Sequence, residues 1–326
     1  MLISPIISCF GSALAIAAML AMKRSLPMDH PNHRSLHETP TPRTGGVAIM
    51  LGAGCGWAIS WPPPEQRPML ALAMILCAFN FVDDLKGLSV ALRFAAQIAA
   101  TAALLWLMPP FPEGALGIAV AFAALVWMAN LFNFMDGSDG LAGGMAAFGF
   151  GLYSFVAYRD GMTAFAVTTA CLAGASLGFL WFNFTPARIF MGDAGSIPLG
   201  FLAAAMGLAG WQAGLWPIGF PLLVFSPFIV DASVTLVKRL LGGKKVWQAH
   251  REHYYQRVVR MGLGHRKTAI YAYGLMLACG VSAILLRYSS LKGQIIIGLG
   301  WAVIYIYLLC FIDKAWKKQS KMMVSV

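Results

Sequence analysis

The chain has 326 residues, of which 59% are hydrophobic and only 11% charged, and its mean hydropathy is +0.70. These values exclude a soluble globular domain and indicate a membrane protein. The formal net charge of +11 is the excess expected from basic loops that favour one side of a bilayer and bind anionic lipid. It gives no reason to expect a nucleic-acid partner.

Apolar stretches long enough to cross roughly 30 Å of hydrocarbon as helices recur along the whole chain, without the alternation of barrel strands. We therefore predict an all-α, polytopic membrane protein with about 11 transmembrane helices, forming a single domain over residues 1–326. The predicted spans are centred in residues 1–22, 45–62, 68–83, 91–109, 115–133, 143–158, 162–182, 195–211, 214–237, 268–287 and 292–312.

Basic residues predict the orientation of these spans. The first span is followed by Lys23 and Arg24, which favours an uncleaved anchor with its N-terminus outside. Eleven spans then place twenty of the 24 Lys and Arg residues, and the C-terminus, on the cytoplasmic side. The predicted cytoplasmic loops cover about residues 23–44, 84–90, 134–142, 183–194 and 238–267. The four basic residues left outside are Arg67, Arg159, Arg287 and Lys292.

The six cysteines all fall inside predicted spans and form no CxxC pair. We expect small core residues at these positions, with neither disulfides nor zinc.

Six aspartates lie at the ends or mouths of spans that run inward. A carboxylate near the bilayer centre costs on the order of 2.5 to 3.5 kcal/mol, so such acids usually face a cavity, a partner or an ion. Any one of them could instead be a hydrated interfacial residue, and an Asp-Gly pair is common in turns. Five are accompanied by Gly or Asn, which favours a site where backbone approaches a ligand closely. They are Asp83, Asp84, Asp136, Asp139, Asp193 and Asp231, the last of which lacks that company and is expected to pair with Lys238 or Arg239.

Glycines beside acids at a helix mouth suit a phosphate bound through Mg²⁺, because the metal takes one or two carboxylates while free backbone N–H groups accept the remaining charge. All six histidines are predicted on the same side. Topology alone accounts for most of the cations there. The exceptions, by their motif context, are Arg43, Lys86, Arg93 and the pair His250 and His253.

Four segments resemble one family, in its order and spacing: the polyprenyl-phosphate N-acetylhexosamine-1-phosphate transferases. This family includes phospho-MurNAc-pentapeptide translocase and the GlcNAc-1-phosphate transferases that start surface-polysaccharide synthesis. The matching segments are "HETPTPRTGG", "FNFVDDLKG", "NLFNFMDGSDGLAGG" and "WFNFTPARIFMGDAGSIPLG".

The resemblance implies a bacterial inner-membrane enzyme whose active site faces the cytoplasm. Undecaprenyl phosphate would attack the β-phosphorus of a UDP-N-acetyl-sugar, giving undecaprenyl-diphospho-sugar and UMP. The cofactor would be Mg²⁺, with Mn²⁺ as a substitute, and a homodimer is left open. A two-step route through an aspartyl nucleophile also stays open.

The same resemblance suggests roles for individual residues. Asp193 and Asn133 resemble the magnesium ligands, and Asp83, with Asp84 beside it, resembles the acid that deprotonates or steers the lipid phosphate. The remaining positions would bind substrate. Lys86 and Arg93 would bind the phosphate, and the nucleoside would be bound by Asp136, Asp139, Asn183 and Phe190. The diphosphate and sugar would be bound by His250, Arg251 and His253, and the motif context adds Arg43 to the substrate-binding residues.

The histidine loop departs from the family pattern. Its sequence is "AHREHYYQR", whereas the translocase has three consecutive histidines and the GlcNAc enzymes a His-x-His-His type. This form resembles the branch that primes O-antigen with modified sugars such as N-acetylfucosamine or N-acetylquinovosamine. A GlcNAc or MurNAc-pentapeptide donor remains the alternative.

Three other functions fit the sequence less well. An ion-coupled transporter needs polar residues at mid-membrane depth and usually an internal repeat, neither of which the sequence shows. A prenyltransferase would carry two DDxxD-like motifs, and a CDP-alcohol phosphotransferase an Asp-Gly closely followed by Ala-Arg. Because neither pattern is present, the sugar-phosphate transferase is preferred.

Overall fold

The computed structural model describes residues 2–22, 26–31, 35–108, 114–246, 248 and 250–324, with side chains as far as residue 319. Four residues used in the charge and histidine arguments, Lys23, Arg24, His33 and Arg34, lie outside this part, as does the side chain of Lys321. The described chain is almost wholly helical, which confirms the predicted all-α membrane class.

The helices pack as one bundle, and two short antiparallel strands, β1 (Met28–Asp29) and β2 (Thr41–Pro42), lie in the first loop. In chain order the helices are α1 (Ile3–Ala21), α2 (Gly45–Ser60), α3 (Arg67–Lys86), α4 (Val90–Leu107), α5 (Gly114–Phe134), α6 (Leu141–Arg159), α7 (Thr163–Asn183), α8 (Asp193–Gln212), α9 (Gly219–Val224), α10 (Ser226–Leu241), α11 (Tyr254–Val258), α12 (Gly264–Arg287) and α13 (Leu291–Val324). A π-helical turn, Val259–Leu263, joins α11 to α12.

Each of the 11 predicted spans coincides with helix in the structure. Among the described residues, nine helices are long and apolar enough to cross a membrane. The two that differ are α2, which has 16 residues, and the ninth span, which breaks at Phe225 into α9 and α10. Pro227 lies in the first turn of α10, and a proline lacks the N–H that a continuous helix would need there.

Helices in lipid gain little from the hydrophobic effect, so they associate by close packing, which small residues permit. Helix α2 meets α8 at Gly46 and Gly195, where a Cβ on Gly46 would lie 2.2 Å from the Gly195 Cα. This contact leaves no room for a side chain at either position. It brings Arg43, just before α2, to the first turn of α8.

Helix α3 is longer than predicted. It continues to Lys86 and ends at Gly87, whose left-handed φ of 67° stops the helix. Asp83 and Asp84 therefore lie inside its last turn rather than after it.

The cysteine prediction holds in part. All six are free thiols, and Cys77, Cys171 and Cys279 are buried. Cys55 and Cys310 are exposed on the outer surface of the bundle, so the expectation of core positions was wrong for these two.

Candidate active site

Aspartates from three helix ends meet at one end of the bundle. Asp83 and Asp84 come from α3, Asp136 from the turn after α5, and Asp193 from the first residue of α8. Two arginines, Arg43 and Arg93, contact these carboxylates.

Asp193 links three helices. Its Oδ1 accepts a hydrogen bond of 2.7 Å from the Asn133 side-chain amide, and its Oδ2 accepts one of 2.8 Å from the Arg93 guanidinium. The Asn133 amide nitrogen also donates to Ser196 Oγ, which leaves the Asn133 amide oxygen available as a ligand. The carboxylate lies at the N-terminus of α8, where the helix dipole stabilises negative charge.

Asp84 is buried and keeps one oxygen unused. Arg43 donates to its backbone carbonyl at 2.9 Å, and the Arg43 Nε lies 3.5 Å from the Asp84 Oδ1. Within the described residues, the Asp84 Oδ2 has no hydrogen-bond partner. Gly192 closes the site above it, since a Cβ there would lie 2.3 Å from the Arg43 carbonyl oxygen and 3.2 Å from Asp84 Oδ2.

Asp83 has a different environment. Its Oδ1 accepts a 2.6 Å hydrogen bond from the Leu88 N–H, and its Oδ2 lies 3.5 Å from Arg93. The carboxylate therefore stabilises the turn after α3 and helps to hold Arg93 against Asp193.

A polar cavity of about 300 Å³ opens among these residues. Its described lining includes five aspartates but a single guanidinium, that of Arg43, together with the rings of Phe190 and three histidines. Carboxyl groups this close together give the cavity a negative potential and make it unfavourable for all five to be ionised at once. The five are Asp29, Asp84, Asp136, Asp139 and Asp193.

The pKa of Asp136 shows the effect of this crowding. Burial, followed by repulsion from the Asp193 carboxylate, raises the pKa of Asp136 well above its usual range, and the Gly192 backbone N–H offsets part of the effect.

A second, amphipathic cavity of about 680 Å³ adjoins the first. One side is apolar, formed by Phe94, Ile197 and Leu236, and Arg93 contributes its positive charge. Both cavities share part of their wall. The shared residues are Asn133, Asp136, Gly137, Asp193, His250 and Gln256.

Asp139 and Asn183 line the polar cavity, but their polar atoms are largely engaged within the protein. Asp139 Oδ2 accepts from the Ala187 N–H at 3.0 Å. The Asn183 side chain accepts from the Gly140 N–H at 2.9 Å and donates to the Ile189 carbonyl at 2.9 Å. Their geometry fits them for shaping the cavity wall more than for direct hydrogen bonding to a ligand.

Asp231 docks the histidine loop onto α10. Its Oδ1 lies 3.2 Å from His253 Nδ1 and accepts from the Tyr254 N–H, while its Oδ2 accepts from the Tyr255 N–H, both at 2.9 Å. The expected pairing with Lys238 or Arg239 was wrong. Lys238 pairs with Asp313 and Arg239 with Glu252.

His250 lies on the shared wall, with its ring stacked on His253 at a centroid distance of 4.8 Å. Burial, then the neighbouring His253 and Arg239, lower the pKa of His250 from 6.5 to about 4. Its imidazole is therefore neutral near pH 7.

The structure brings most of the predicted site residues to the two cavities. Three do not line either one: Asp83, which contacts Arg93; Lys86, which is exposed on the last turn of α3; and Arg251. Sequence reasoning missed several residues that line the polar cavity, four of which carry an acidic, imidazole or amide side chain. These are Asp29, His37, Gln256 and His265.

A signal for two of the missed residues was present. His37 opens the "HETPTPRTGG" segment and Gln256 falls in "AHREHYYQR". The His37 ring contacts Phe190 edge-on at 4.8 Å between centroids. The Asp29 signal was weaker, since β1 and β2 have to pair before this residue reaches the cavity.

The donor set fits Mg²⁺ bound together with a ligand phosphate. In the described part of the chain, no three His, Cys, Asp or Glu side chains form a complete metal cage. Mg²⁺ usually takes only one or two protein carboxylates and completes its shell with phosphate oxygens and water. Asp193, the Asn133 amide oxygen and the free Asp84 Oδ2 are oxygen donors of that kind.

Comparisons with known proteins find a matching family model and several relatives. The model of glycosyl transferase family 4 matches residues 67–210. A decaprenyl-phosphate N-acetylglucosaminephosphotransferase of Mycobacterium tuberculosis is 32% identical over 291 residues, covering 75% of this chain and 72% of its own length.

Two further relatives cover still more of the chain. A probable undecaprenyl-phosphate N-acetylglucosaminyl 1-phosphate transferase of Bacillus subtilis is 28% identical over 81% of this chain and 78% of its own length. The undecaprenyl-phosphate alpha-N-acetylglucosaminyl 1-phosphate transferase of Escherichia coli is 27% identical over 93% of this chain and 88% of its own length.

Proposed function

The chain belongs to glycosyl transferase family 4, in the group of polyprenyl-phosphate hexosamine-1-phosphate transferases, and from this premise we propose that it transfers an N-acetylated amino-sugar 1-phosphate from a UDP-sugar to undecaprenyl phosphate. The observation that carries the proposal is the shared wall: Asp193 borders both a carboxylate-rich cavity and an apolar-walled one. A water-soluble donor and a lipid acceptor can meet there.

The polar cavity suits the UDP-sugar. Phe190 offers a ring for stacking on uracil, and the carboxylates can accept hydrogen bonds from ribose and base. A nucleoside diphosphate is itself anionic. Even with Asp136 neutral, the other four aspartates outnumber the single arginine of this lining and would repel it. A divalent cation removes this repulsion, which is the main support for Mg²⁺ or Mn²⁺.

The amphipathic cavity suits undecaprenyl phosphate. Phe94, Ile197 and Leu236 can cover the isoprenoid chain, while Arg93 can bind the phosphate. Arg93 is held between Asp83 and Asp193, which positions it next to the shared wall.

In the proposed reaction, an oxygen of the acceptor phosphate forms a bond to the β-phosphorus, and the bond from that phosphorus to the oxygen of UMP breaks. The sugar C1–O bond stays intact, so the anomeric configuration is kept. The second pKa of a phosphate monoester is near 6, so the attacking oxygen is already largely deprotonated at pH 7. The side chains mainly position and neutralise the reactants.

Asp193 and Asn133 would hold Mg²⁺ against the diphosphate, with Asp84 nearby. The metal would supply charge neutralisation at the phosphorus and at the leaving phosphate.

The sugar is proposed from the histidine loop. Its "AHREHYYQR" form favours a modified N-acetyl-amino sugar, and hence the start of O-antigen synthesis. The names of the relatives favour GlcNAc as the second candidate.

The test is to offer the purified protein undecaprenyl phosphate and a panel of UDP-N-acetyl sugars, with UMP release and lipid-linked product as readouts. We expect turnover with at least one donor, and a loss of turnover in excess chelator that Mg²⁺ restores. No product across the panel would contradict the transfer reaction. Full turnover in chelator would contradict the metal alone.

The multi-pass membrane setting follows from the helices, and we propose the bacterial inner membrane with the site facing the cytoplasm. A reporter fused after Lys321 should then be active in the cytoplasm. Periplasmic activity of the fusion would contradict this orientation.

A further inference from the structure

A third cavity, here called the lateral cavity, lies on the side of α10 away from the amphipathic cavity. It has a volume of about 400 Å³ and is enclosed by α10 to α13. Tyr255 is the one residue that both linings share among the described residues. None of the five aspartates of the polar cavity lines the lateral cavity in this part of the chain, whereas Asp231, which holds the histidine loop, does. Its walls are mainly apolar, and include Phe228, Val258, Ala272, Leu275, Leu309 and Ile312.

The lateral cavity runs along helices suited to a membrane. Its lining extends over residues 268–276 of α12 and 305–312 of α13, about 10 to 12 Å at 1.5 Å per residue. At its inner end, the Tyr305 hydroxyl lies 2.7 Å from Ser226 Oγ and 3.3 Å from Cys279 Sγ. These bonds satisfy the polar atoms there, so the cavity offers little to water and suits hydrocarbon.

The other end of the cavity is positively charged. Tyr254, a lining residue, bonds to Lys238 Nζ and Asp313, and Arg257 also pairs with Asp313. Arg260 lies over the ring of Trp316, one helical turn beyond the lining residue Ile312. Lys238, Arg257 and Arg260 thus lie near this end, together with the carboxylates of Asp313 and of the lining residue Asp231. The three cations outnumber these two carboxylates.

We propose that the lateral cavity binds an anionic phospholipid, with one acyl chain between α10, α12 and α13 and its phosphate at the cationic end. An apolar recess between membrane-spanning helices is best filled by a lipid chain, and the charge selects an anionic headgroup. The acceptor lipid belongs elsewhere, because its phosphate must reach Asp193 and Arg93 on the far side of α10.

The first test uses the wild-type protein in nanodiscs that contain a trace of phosphatidylglycerol with a photoreactive group near the end of one chain. We expect crosslinks within residues 268–276 and 305–312 that persist in saturating undecaprenyl phosphate. Displacement by that lipid would overturn the proposal, since the cavity would then belong to the acceptor. Equal labelling by the matching phosphatidylcholine probe would overturn it as well.

The second test fills the cavity. Ala272→Trp places an indole among the lining residues, whereas Ala278→Trp is a matched control on the exposed surface of the same helix. We expect labelling to fall about tenfold, equivalent to about 1.4 kcal/mol of binding free energy, in the first variant and to be unchanged in the second. Equal labelling of both variants would count against the lateral cavity as the binding site.

The third test concerns the headgroup. Arg260→Gln removes one cation from the mouth, and we expect the preference for phosphatidylglycerol over phosphatidylcholine to fall about fivefold. An unchanged preference would show that this end does not select the headgroup. Because all three tests read lipid binding, they are independent of the proposed transferase activity. If the Ala272 variant fails to fold, the wild-type crosslinks still decide the question.

Discussion

The two ends of the helix bundle differ in how completely their buried polar groups are hydrogen-bonded. At the end away from the site, Arg287 pairs with Asp160 and also donates to the Leu215 carbonyl and the Tyr288 hydroxyl. At the site end, several buried polar atoms have no hydrogen-bond partner in the described chain: Asp84 Oδ2, Arg43 Nε, Arg93 Nε and His37 Nε2.

This difference separates a structural cluster from a binding site. A buried polar group left without a partner costs about 1 to 3 kcal/mol. At the far end, Gln66 Oε1 is the one such atom among the described residues. Around the polar cavity the fold therefore leaves hydrogen-bonding capacity that a ligand can complete, although Arg43 Nε and His37 Nε2 also lie 3.5 and 3.7 Å from carboxylate oxygens.

The largest contrast is expected between Asp193→Asn and Asp160→Asn. The first removes charge from a carboxylate on the shared wall of the cavities, so we expect turnover to fall about 10³-fold or more. The second weakens only the structural pair with Arg287, and activity should stay within about twofold, as for most surface pairs. Steady-state UMP release measures both.

The Asp193 result needs a folding control, which is the elution of each variant as a single species from a sizing column. Near-wild-type turnover of folded Asp193→Asn would remove this residue from the proposed machinery. An equal loss in both variants would erase the distinction between the two ends.

The next largest effect is expected at Asp231, which acts through the loop it docks. Replacing it with Asn removes the charge that accepts two backbone N–H groups and contacts His253. Hydrogen bonds to a charged group contribute about 1.5 to 3 kcal/mol, so turnover should fall roughly 10- to 100-fold.

The kinetic pattern distinguishes loop docking from general damage. His253 lines the amphipathic cavity and not the polar one. His250 of the same loop lines both cavities, so we expect Asp231→Asn to raise the KM for the lipid acceptor and also the KM for the UDP-sugar. Asp231→Glu should rescue part of the activity. Weakened donor binding with an unchanged acceptor KM would contradict this assignment.

A smaller effect is expected from the titration of His250. Its pKa is lowered from 6.5 to about 4 by burial, His253 and Arg239, with Lys244 adding to the shift and Glu252 opposing it. The folded protein then binds fewer protons than the unfolded chain between these pH values. Stability should therefore be complete above about pH 6.5 and decrease as the pH falls toward 4.

Thermal unfolding at a series of pH values measures this contribution, with His250→Gln as the comparison. The wild-type Tm should decrease more steeply below pH 6.5 than that of the variant. Parallel curves, or an NMR pKa near 6.5 for His250, would show that the imidazole is not held neutral.

The sequence predicted the fold class and many of the residues that line the two cavities, because both follow from local signals. Apolar length specifies a membrane helix wherever it occurs, and Gly or Pro marks its end, as Gly87 does for α3. The ninth span divides into α9 and α10 at Phe225, next to Pro227. This proline is visible in the sequence, but a single continuous span was predicted there.

The rest of the site depended on helix rotation and on distant contacts. Adjacent residues on a helix differ by about 100° in direction, so Asp83 and Asp84 cannot both face the polar cavity. The packing of α3 against its neighbours decides which one does. Asp231 was assigned to cations nearby in sequence, but its partners, from His253 to Tyr255, arrive through a loop.

The smallest effect is expected at Lys86, which the motif suggests as a phosphate ligand but the structure leaves exposed and outside both cavities. A fully hydrated lysine contributes little, so Lys86→Ala should change the acceptor KM by less than about threefold. Arg93→Gln, which removes the cation bonded to Asp193, should raise that KM at least about tenfold by the loss of a charge-assisted hydrogen bond. If the two variants lose activity equally, the cavities do not define the phosphate site, and Lys86 must reach the acceptor from outside the amphipathic cavity.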